Sequence, residues 1–436
     1  SLMTNTAIPT AAKELLGFIQ CSTSPFHVVE ESAKRLLRAG FQELKPADSW
    51  RLAAGGRYFL RVYGSTLLAF VVGEKPLKSH GTPLLMAAAH TDFPCFRLKP
   101  EAGMTRDGCG TLNVETYGGL ILRTWLDRPL SLAGKIVLRG KDAFHPEVRL
   151  VDFQKPLMTI PSLAIHMDRD VNKDGALNAQ KDMLPLAALV GKDAEEDFFL
   201  AWLAEACETE RDAILSYDLG AYPCETGCTF GLRDEFISSP RLDNLTSVLA
   251  CLKGIEEAHP AQGIRLIALF DNEEVGSRTK QGAGSAVLGD VLRRIYQDLS
   301  GESDAVCRAL ADGFLLSVDV AHAVHPSHAA KSDPVVRPAL AAGVVLKQAA
   351  SQSYAGDAEA SAVVRALAEE HEIPWQRFVN RADSRGGSTL GAIASSFVPV
   401  RTMDIGAPIL AMHSARETMG AADQESLERL LKAFLA

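Results

Sequence analysis

The sequence lacks both long apolar runs and clustered basic charge. No uninterrupted apolar stretch approaches the roughly 18 residues that a membrane-spanning helix requires. No basic region followed by an apolar core appears near the N-terminus, so we expect no secretory signal and predict a cytoplasmic location. Lys and Arg number 45 against 54 Asp and Glu, and both signs are spread along the chain. We therefore predict neither a membrane nor a nucleic acid as a partner.

Cysteine is also scarce, with 8 residues in a chain of 436. The cysteines are scattered, and without an export signal they are predicted to be reduced and mostly buried. Cys224 and Cys228 are spaced like one half of a zinc site, but no second Cys or His pair lies near them in the sequence. The cysteines therefore do not indicate a disulfide framework or a zinc finger.

The chain is too long for a single compact core, so two domains are expected. Strand-like and helix-like segments alternate in residues 3–96 and 235–436. Between them, residues 97–234 contain short β-like pieces interrupted by Gly and Pro. This pattern predicts an α/β fold whose mixed, mostly parallel sheet is flanked by helices, with an inserted β-rich domain at 97–234. Ser1 and Leu2, which precede Met3, are left outside the predicted domains.

Hydrophobic periodicity and end signals place the main elements. The predicted strands are Arg57–Val62, Leu67–Val72, Leu84–Ala89, Gly119–Thr124, Lys135–Arg139, Ile264–Phe270, Phe314–Val318 and Trp375–Val379. The predicted helices begin at Ser24-Pro25 and end at Gly40, or span Glu195–Ala206, Asn244–Ala258, Asp357–Glu370 and Gln424–Leu435. Ligand sites in such sheets lie beyond the carboxyl ends of the strands, so the residues after each apolar run are candidate site residues.

Acidic and imidazole side chains recur at those positions. Each of the following either follows an apolar run within a few residues or, in the case of Asp243, stands where a helix begins: His90, Asp92, Asp243, Glu273, Glu274, Asp319 and His413. Any one of these residues could be a core hydrogen-bonding group or a helix cap. Their repetition at one predicted sheet edge indicates instead a cluster with shared chemistry.

This mixture of nitrogen and oxygen ligands is typical of zinc, with cobalt or manganese as alternatives. Three carboxylates, those of Asp243, Glu274 and Asp319, would supply three negative charges to a pair of divalent cations, and neutral imidazoles would add none. Asp92 stands two residues after His90 and could accept its ring N–H. Glu273 would then be available to move a proton between an attacking water and a leaving amine.

Several segments resemble, in order and along nearly the whole chain, the M18 family of aspartyl aminopeptidases. They are HTD (90–92), YGG (117–119), WLDR (125–128), LAIH (163–166), SPRLDN (239–244), DNEEVGS (271–277) and MHSARE (412–417). The resemblance implies the zinc-peptidase type of fold and two zinc ions in each subunit.

The roles of individual residues follow from the same resemblance. It implies that His90, Asp243 and Asp319 bind one zinc. It implies that Asp243, Glu274 and His413 bind the other, with Asp243 bridging, and that Glu273 is the general base. It also places four residues around the substrate: His166, His322, Lys347 and Tyr354. The implied reaction removes N-terminal Asp or Glu from peptides.

The resemblance also implies an assembly. The inserted domain would form dimers, the histidine corresponding to His166 would reach a neighbour's active site, and the dimers would build a dodecamer.

Two other functions stay open. The sequence around Lys347 departs from the usual sequence of the family, so the same metal centre could serve a neutral-residue aminopeptidase or a deacylase of small amides. A catalytically inactive oligomeric scaffold is the remaining alternative, and the intact set of candidate ligands argues against it.

Overall fold

The structure is a computed structural model that describes residues 8–75, 84–191 and 197–436. Its α-helices are α1 (Thr10–Cys21), α2 (Pro25–Arg38), α3 (Phe198–Ala206), α4 (Leu242–Glu256), α5 (Val287–Ser300), α6 (Ala305–Ala311), α7 (Ala358–Glu370), α8 (Leu390–Phe397) and α9 (Ala421–Leu435). Its first ten strands are β1 (Gln42–Leu44), β2 (Arg57–Val62), β3 (Thr66–Val72), β4 (Leu84–His90), β5 (Cys95–Arg106), β6 (Cys109–Tyr117), β7 (Leu130–Asp142), β8 (His145–Asp152), β9 (Leu186–Leu189) and β10 (Ile214–Pro223). The others are β11 (Cys228–Phe230), β12 (Phe236–Ser239), β13 (Ile264–Phe270), β14 (Phe314–Val318), β15 (Ala321–His322), β16 (Val344–Lys347), β17 (Trp375–Phe378), β18 (Arg401–Gly406), β19 (Pro408–Leu410) and β20 (Glu417–Gly420).

The chain forms two compact units. The α/β unit comprises the described parts of 1–92 and 227–412 together with 417–436, and the β-rich unit comprises the described parts of 93–226 together with 413–416. The bounds predicted from the sequence, 97 and 234, lie four and eight residues after the corresponding ends of the β-rich unit, 93 and 226. A role of the β-rich unit in dimerisation stays a prediction.

The α/β unit is built on a sheet that has nine strands within the described residues, in the order β1-β2-β3-β13-β4-β14-β18-β16-β17. Its centre is parallel, because β13 and β14 both run parallel to β4. The strands β2, β3 and β16 join through antiparallel pairs. The predicted mixed, mostly parallel sheet flanked by helices is confirmed.

Burial explains why the central strands are almost wholly apolar. Every residue of β3, β13 and β14 is buried. Strands covered on both faces have no solvent side on which polar residues could alternate. Helices α5 and α8 contribute Leu292, Ile295 and Leu390 to the core that lies against this sheet. The side chains at the edge of the sheet are therefore supported by a fully buried core.

Three local predictions need correction. Helix α1 was not predicted, although Leu15, Phe18 and Ile19 are buried on one face of it. The strand predicted at Gly119–Thr124 is wrong, since a short 3₁₀ helix covers Leu122–Trp125. The helix predicted from Glu195 begins at Phe198 with Asp197 as its N-cap, and Glu195 itself lies outside the described residues.

The apolar run before His413 was also misplaced. Of the predicted run Ile409–Met412, Ile409 and Leu410 lie in β19, which pairs with β15 and β20 rather than with a strand of the large sheet. These strands belong to a separate small sheet in the order β11-β12-β20-β19-β15. The prediction that His413 follows a strand of the large sheet is therefore wrong, because a short apolar run does not specify which sheet it joins.

The β-rich unit contains an antiparallel sheet of six described strands in the order β8-β7-β10-β5-β6-β9. Its core includes Phe96, Trp125, Leu132 and Leu219, and α3 adds Phe199 and Leu203 to it. Inward-facing apolar residues alternate with exposed or half-buried ones along β6, as expected for a strand with one covered face. No helix among the described residues of either unit is long and apolar enough to cross a membrane.

Candidate metal centre

Three neighbouring parallel strands bring their carboxyl ends to one edge of the large sheet. His90 is the last residue of β4, Glu273 and Glu274 are the third and fourth residues after β13, and Asp319 directly follows β14. Since β13, β4 and β14 are adjacent and parallel, their ends meet. This is the edge at which the sequence predicts the site.

The imidazole of His90 lies at the centre of the cluster and is fully buried. Four carboxylates surround its Nε2 atom, at 3.3 Å for Asp243 Oδ1, 3.4 Å for Glu273 Oε2, 3.5 Å for Asp319 Oδ2 and 3.9 Å for Glu274 Oε1. Residues up to 229 positions apart in the chain thus converge on one ring nitrogen. The structure brings five of the predicted site residues together.

Asp92 contacts the ring of His90 and accepts hydrogen bonds from the backbone that carries Glu273 and Glu274. Its Oδ1 atom lies 3.1 Å from Nδ1 of His90, and its main-chain oxygen lies 2.9 Å from the same nitrogen. Its carboxylate also accepts the backbone N–H groups of Glu273, at 3.2 Å, and Glu274, at 3.0 Å. Because both acceptors face Nδ1, that nitrogen carries a proton, and in the neutral ring Nε2 would have the lone pair that a metal ion needs.

Asp243 reaches the cluster from the start of α4 rather than from a strand end. The chain turns sharply before it, since Arg241 adopts a left-handed conformation with φ of 59°. The side chain of Glu417, from β20, accepts the backbone N–H of Asp243 at 3.1 Å. Asp243 is buried, and its own backbone is not helical. The backbone around Asp243 therefore directs this carboxylate to His90, and the carboxylate does not cap the helix.

The pKa values of the cluster are shifted because several acidic groups are buried close together. Burial raises the pKa of Glu273 to about 8 when no cation is bound, and the negative charges of Asp319, Asp92 and Asp243 add to the increase, while His90 opposes it. Burial likewise raises the pKa of Glu274 well above its usual value, and Asp243 and Glu273 reinforce the shift. Burial lowers the pKa of His90, but the charges of Glu273 and Asp319 outweigh it, so that the net pKa is raised.

The donor atoms fit a divalent metal. Potential ligand atoms of His90, Asp243 and Glu274 all lie within 4.8 Å of one another, and so do those of His90, Glu273 and Asp319. Two unit charges at that separation repel by about 3 kcal/mol at an effective dielectric constant of 20. A bound cation would reverse the sign of this interaction. These two groups of residues differ from the two predicted ligand sets. The assignment of ligands to each of two metal ions therefore stays a prediction.

Two predicted residues lie in the β-rich unit. His413 is half-buried there, and its Nδ1 atom lies 2.8 Å from the carbonyl oxygen of Gly119. Nδ1 is therefore the donor, and Nε2 carries the lone pair that a metal would need. His166 is exposed in a short 3₁₀ helix. The ligand role of His413 and the substrate role of His166 both stay predictions.

The other predicted substrate residues gather around Phe378. The rings of His322 and Tyr354 lie 5.9 Å and 6.0 Å from it. The ammonium of Lys347 lies 5.2 Å from the centre of the Tyr354 ring, and it donates to the carbonyl oxygen of Val320 at 3.2 Å. Because Val320 directly follows Asp319 in the chain, this hydrogen bond of Lys347 connects the aromatic group to the carboxylate cluster.

A cavity of about 630 Å³ is lined by residues that are neighbours of Lys347, Tyr354 and Phe378 in the sequence. These residues are 348–353, 356–357, 379–382 and 384–386. Burial raises the pKa of Tyr354 to about 12, and the negative charges of Asp319 and Asp404 add to it, while a hydrogen bond with Asn380 of the cavity lining opposes the shift. The cavity is large enough for a small ligand.

Asp404 was missed in the sequence. It is opposite Lys347 in the antiparallel pair of β16 and β18, and both residues are almost completely buried. Its Oδ2 atom accepts from the backbone N–H of Ala355 and from the hydroxyl of Thr389. Burial raises the pKa of Asp404, and the positive charge of Lys347 opposes that shift. A lone Asp inside an apolar strand segment is the only signal that the sequence offers.

Comparison with known proteins shows which family this chain is similar to. The family model described as "Aminopeptidase I zinc metalloprotease (M18)" matches residues 18–435. A probable M18 family aminopeptidase 2 of Clostridium novyi (strain NT) is 44% identical over 97% of this chain and 98% of its own length. A protein of the same name from Pseudomonas aeruginosa (strain UCBPP-PA14) is 41% identical over 97% of each chain.

The fold agrees as well. The solved structure of Chaetomium thermophilum mApe1 superposes with a TM-score of 0.85 at 30% identity, and the match covers 97% of this chain and 96% of that one. The similarity thus spans both compact units and is not confined to the residues around His90. Full-length matches of this kind show that the chain belongs to the M18 family of zinc metallopeptidases and is an aminopeptidase.

Proposed function

We propose that this aminopeptidase uses two divalent metal ions to remove acidic N-terminal residues from peptides. The observation that carries the proposal is the buried convergence of Asp243, Glu273 and Asp319 on one nitrogen of His90. Four carboxylates are not stable in so small and dry a space without compensating positive charge. Zinc suits the nitrogen and oxygen donors.

The proposed ligands are His90, Asp243 and Asp319 for one ion, and Asp243, Glu274 and His413 for the other. Bound there, the ions would supply Lewis-acid polarisation of the scissile carbonyl and would lower the pKa of an attacking water. Asp243 would be shared between the two ions.

Glu273 is proposed to be the general base. Its backbone N–H is held by Asp92, while its carboxylate faces the same edge as the proposed ligands. About 12% of its side chain is exposed, more than for Glu274 or Asp243, so water can reach it. Cations nearby would favour its ionised form. The carboxylate would then accept a proton from water and deliver it to the leaving amine.

Lys347 is proposed to attract the acidic side chain of the substrate. Only one acceptor, the carbonyl oxygen of Val320, is hydrogen-bonded to its ammonium among the described residues. An ammonium carries three donors, so a substrate carboxylate has donors to bind. His322 and Tyr354, whose rings lie 5.9 Å and 6.0 Å from that of Phe378, would enclose the same side chain.

The assembly and location are proposed on the resemblance alone. We propose a homo-oligomer in which dimers build a dodecamer, with His166 directed to a neighbouring subunit. The cytoplasmic location likewise stays a prediction. Analytical ultracentrifugation of the purified protein would test the assembly, and a monomer at micromolar concentration would contradict it.

A panel of aminoacyl peptides, assayed with and without a chelator, tests the activity. Cleavage of N-terminal Asp and Glu peptides should exceed that of Leu and Ala peptides and should disappear on chelation. The variant Glu273→Gln should lose activity by a factor of about 10²–10⁴ while it retains its bound metal. The exposed Glu370 provides the matched control, Glu370→Gln, which should behave as wild type.

One observation favours a neutral-residue aminopeptidase instead. Lys347 is 1% exposed and shares its buried site with the opposite charge of Asp404, so its attraction for a second anion is weakened. The variant Lys347→Met distinguishes the two specificities. It should remove the preference for acidic residues if the proposal holds, while the control Lys331→Met, at an exposed lysine, should not. Wild-type protein that cleaves Leu as well as Asp would establish the neutral alternative.

A further inference from the structure

Asn244 immediately follows Asp243, and its amide side chain contacts the chain on both sides of Asp319. Its Nδ2 group donates to the carbonyl oxygen of Val318 at 2.9 Å. Its Oδ1 atom accepts the backbone N–H of Val320 at 3.3 Å. That carbonyl and that N–H belong to the two peptide groups that meet at the Cα atom of Asp319. One side chain therefore restrains both backbone bonds about which the Asp319 carboxylate could swing.

The orientation of this amide is fixed by its partners. A carbonyl oxygen requires a donor and an N–H requires an acceptor, so exchanging Oδ1 and Nδ2 would break both contacts with the Asp319 segment. The hydroxyl of Ser247, one turn along α4, also donates to Oδ1 at 2.6 Å. Oδ1 thus uses both of its lone pairs. Asn244 is completely buried, and an amide in such a site is expected to be held firmly by these three bonds.

Covalent bonding completes the connection. The backbone of Asn244 is continuous with that of Asp243, whose N–H is anchored by Glu417. The Oδ1 atom of Asp243 and the Oδ2 atom of Asp319 lie 3.3 Å and 3.5 Å from the same nitrogen of His90. Two carboxylates from separate parts of the chain are therefore set at a fixed spacing through one intervening amide.

We propose that Asn244 is a positioning residue of the metal centre, whose amide fixes Asp319 relative to Asp243 and so sets the affinity for the divalent cation that these carboxylates and His90 would hold. The inference rests on the proposed two-metal function. Side chains that orient metal ligands typically change metal affinity 10- to 100-fold when they are removed. Asn244 does not itself reach the metal or the substrate in this role.

Zinc titration of the purified, chelator-stripped protein against a chromophoric competitor tests the proposal. In Asn244→Ala, which loses all three bonds, the dissociation constant of one zinc ion should rise 10- to 100-fold. Asn244→Ser, which retains one hydroxyl, should show a smaller rise in the same direction. The matched control is Ser247→Ala, because it removes a bond to the same oxygen and keeps both contacts with the Asp319 segment. Its zinc affinity should stay within about twofold of wild type.

A second measurement separates positioning from folding. The metal-free variants should retain wild-type circular dichroism, and zinc should then bind weakly to a folded protein. Unchanged zinc affinity in both Asn244 variants would overturn the inference while leaving the proposed function intact. Loss of fold in both metal-free variants would also overturn it, since the amide would then serve the fold. Wild-type protein that binds no zinc would overturn the proposed function and this inference together.

Discussion

Removal of the metal should make the stability of this protein fall steeply as the pH rises. Glu273 has an ordinary pKa of 4.5, and burial raises it to about 8 in the folded, metal-free protein. Between these values the folded state keeps a proton that the unfolded state has lost. Stability therefore decreases with rising pH over this window. At 1.36 kcal/mol for each pKa unit, Glu273 alone accounts for a decrease of at most about 5 kcal/mol.

His90 changes stability in the same direction. Although burial lowers its pKa, Glu273 and Asp319 raise it well above the ordinary 6.5. Its contribution is therefore fully present below about pH 6.5 and is lost as the pH rises through the folded-state pKa. Bound cations would hold the carboxylates ionised and the imidazole neutral at neutral pH, so the loaded protein should not show this slope.

Urea denaturation from pH 5 to pH 9, with and without a chelator, measures the effect. The chelated protein should show a midpoint that falls with pH, and the zinc-loaded protein should show a nearly constant one. In Glu273→Gln the metal-free slope should be shallower, because the neutral amide does not titrate. A chelated wild-type protein whose stability is constant or rises between pH 5 and pH 8 would refute the reasoning.

Three further predictions concern other parts of the α/β unit. Lys253→Met should cost about 3–5 kcal/mol in urea unfolding, because Glu428, 2.7 Å from the ammonium and 4% exposed, would be left as a buried charge. The double variant Lys253→Met, Glu428→Gln should recover most of that loss, and a lack of recovery would contradict the charge argument. Asp404→Asn should raise the ratio of acidic to neutral peptide cleavage about tenfold, because the buried carboxylate opposite Lys347 competes with a substrate carboxylate for the same positive charge. An unchanged ratio would show that Asp404 does not weaken that attraction. Leu249→Ala, at a fully buried position of α4, should cost about 2–5 kcal/mol, whereas a loss below 1 kcal/mol would mean that the core repacks.

The central strands were predictable because their burial leaves a strong local pattern. Ile264–Phe270 and Phe314–Val318 have the bounds that the sequence predicts, since strands covered on both faces are continuously apolar. The end signals of α2 were equally clear, with Ser24 capping and Pro25 at the first position. The position of His90, Glu273 and Asp319 at one sheet edge followed from these strands.

Elements whose stability depends on distant neighbours were not predictable. Helix α1 buries Leu15 and Ile19, yet it has no side-chain N-cap, so its start carries little sequence signal. The apolar run Ile409–Met412 is predicted to end at the edge of the large sheet, but Ile409 and Leu410 belong to β19, whose partners are β15 and β20. Which strand pairs with which is decided by packing across the whole unit, not by the composition of a few residues.

The residues that support the site were missed for a related reason. Asp404 and Asn244 have no motif of their own, and their importance lies in what the fold places opposite them. A hydrogen bond between residues 76 positions apart leaves no trace in local periodicity. Their buried, polar character becomes meaningful only once the partners are known.

By itself, the sequence determined the central buried strands, the fold class and the kinds of side chain available for metal chemistry, because hydrophobic period and ligand type are properties of single segments. Only the tertiary structure decided that Asp243, Glu273, Glu274 and Asp319 surround one nitrogen of His90. Only the tertiary structure, too, placed Asp404 against Lys347. Distances between remote residues are set by packing and by long-range hydrogen bonds. These interactions form between segments, so the sequence of either segment alone does not predict them.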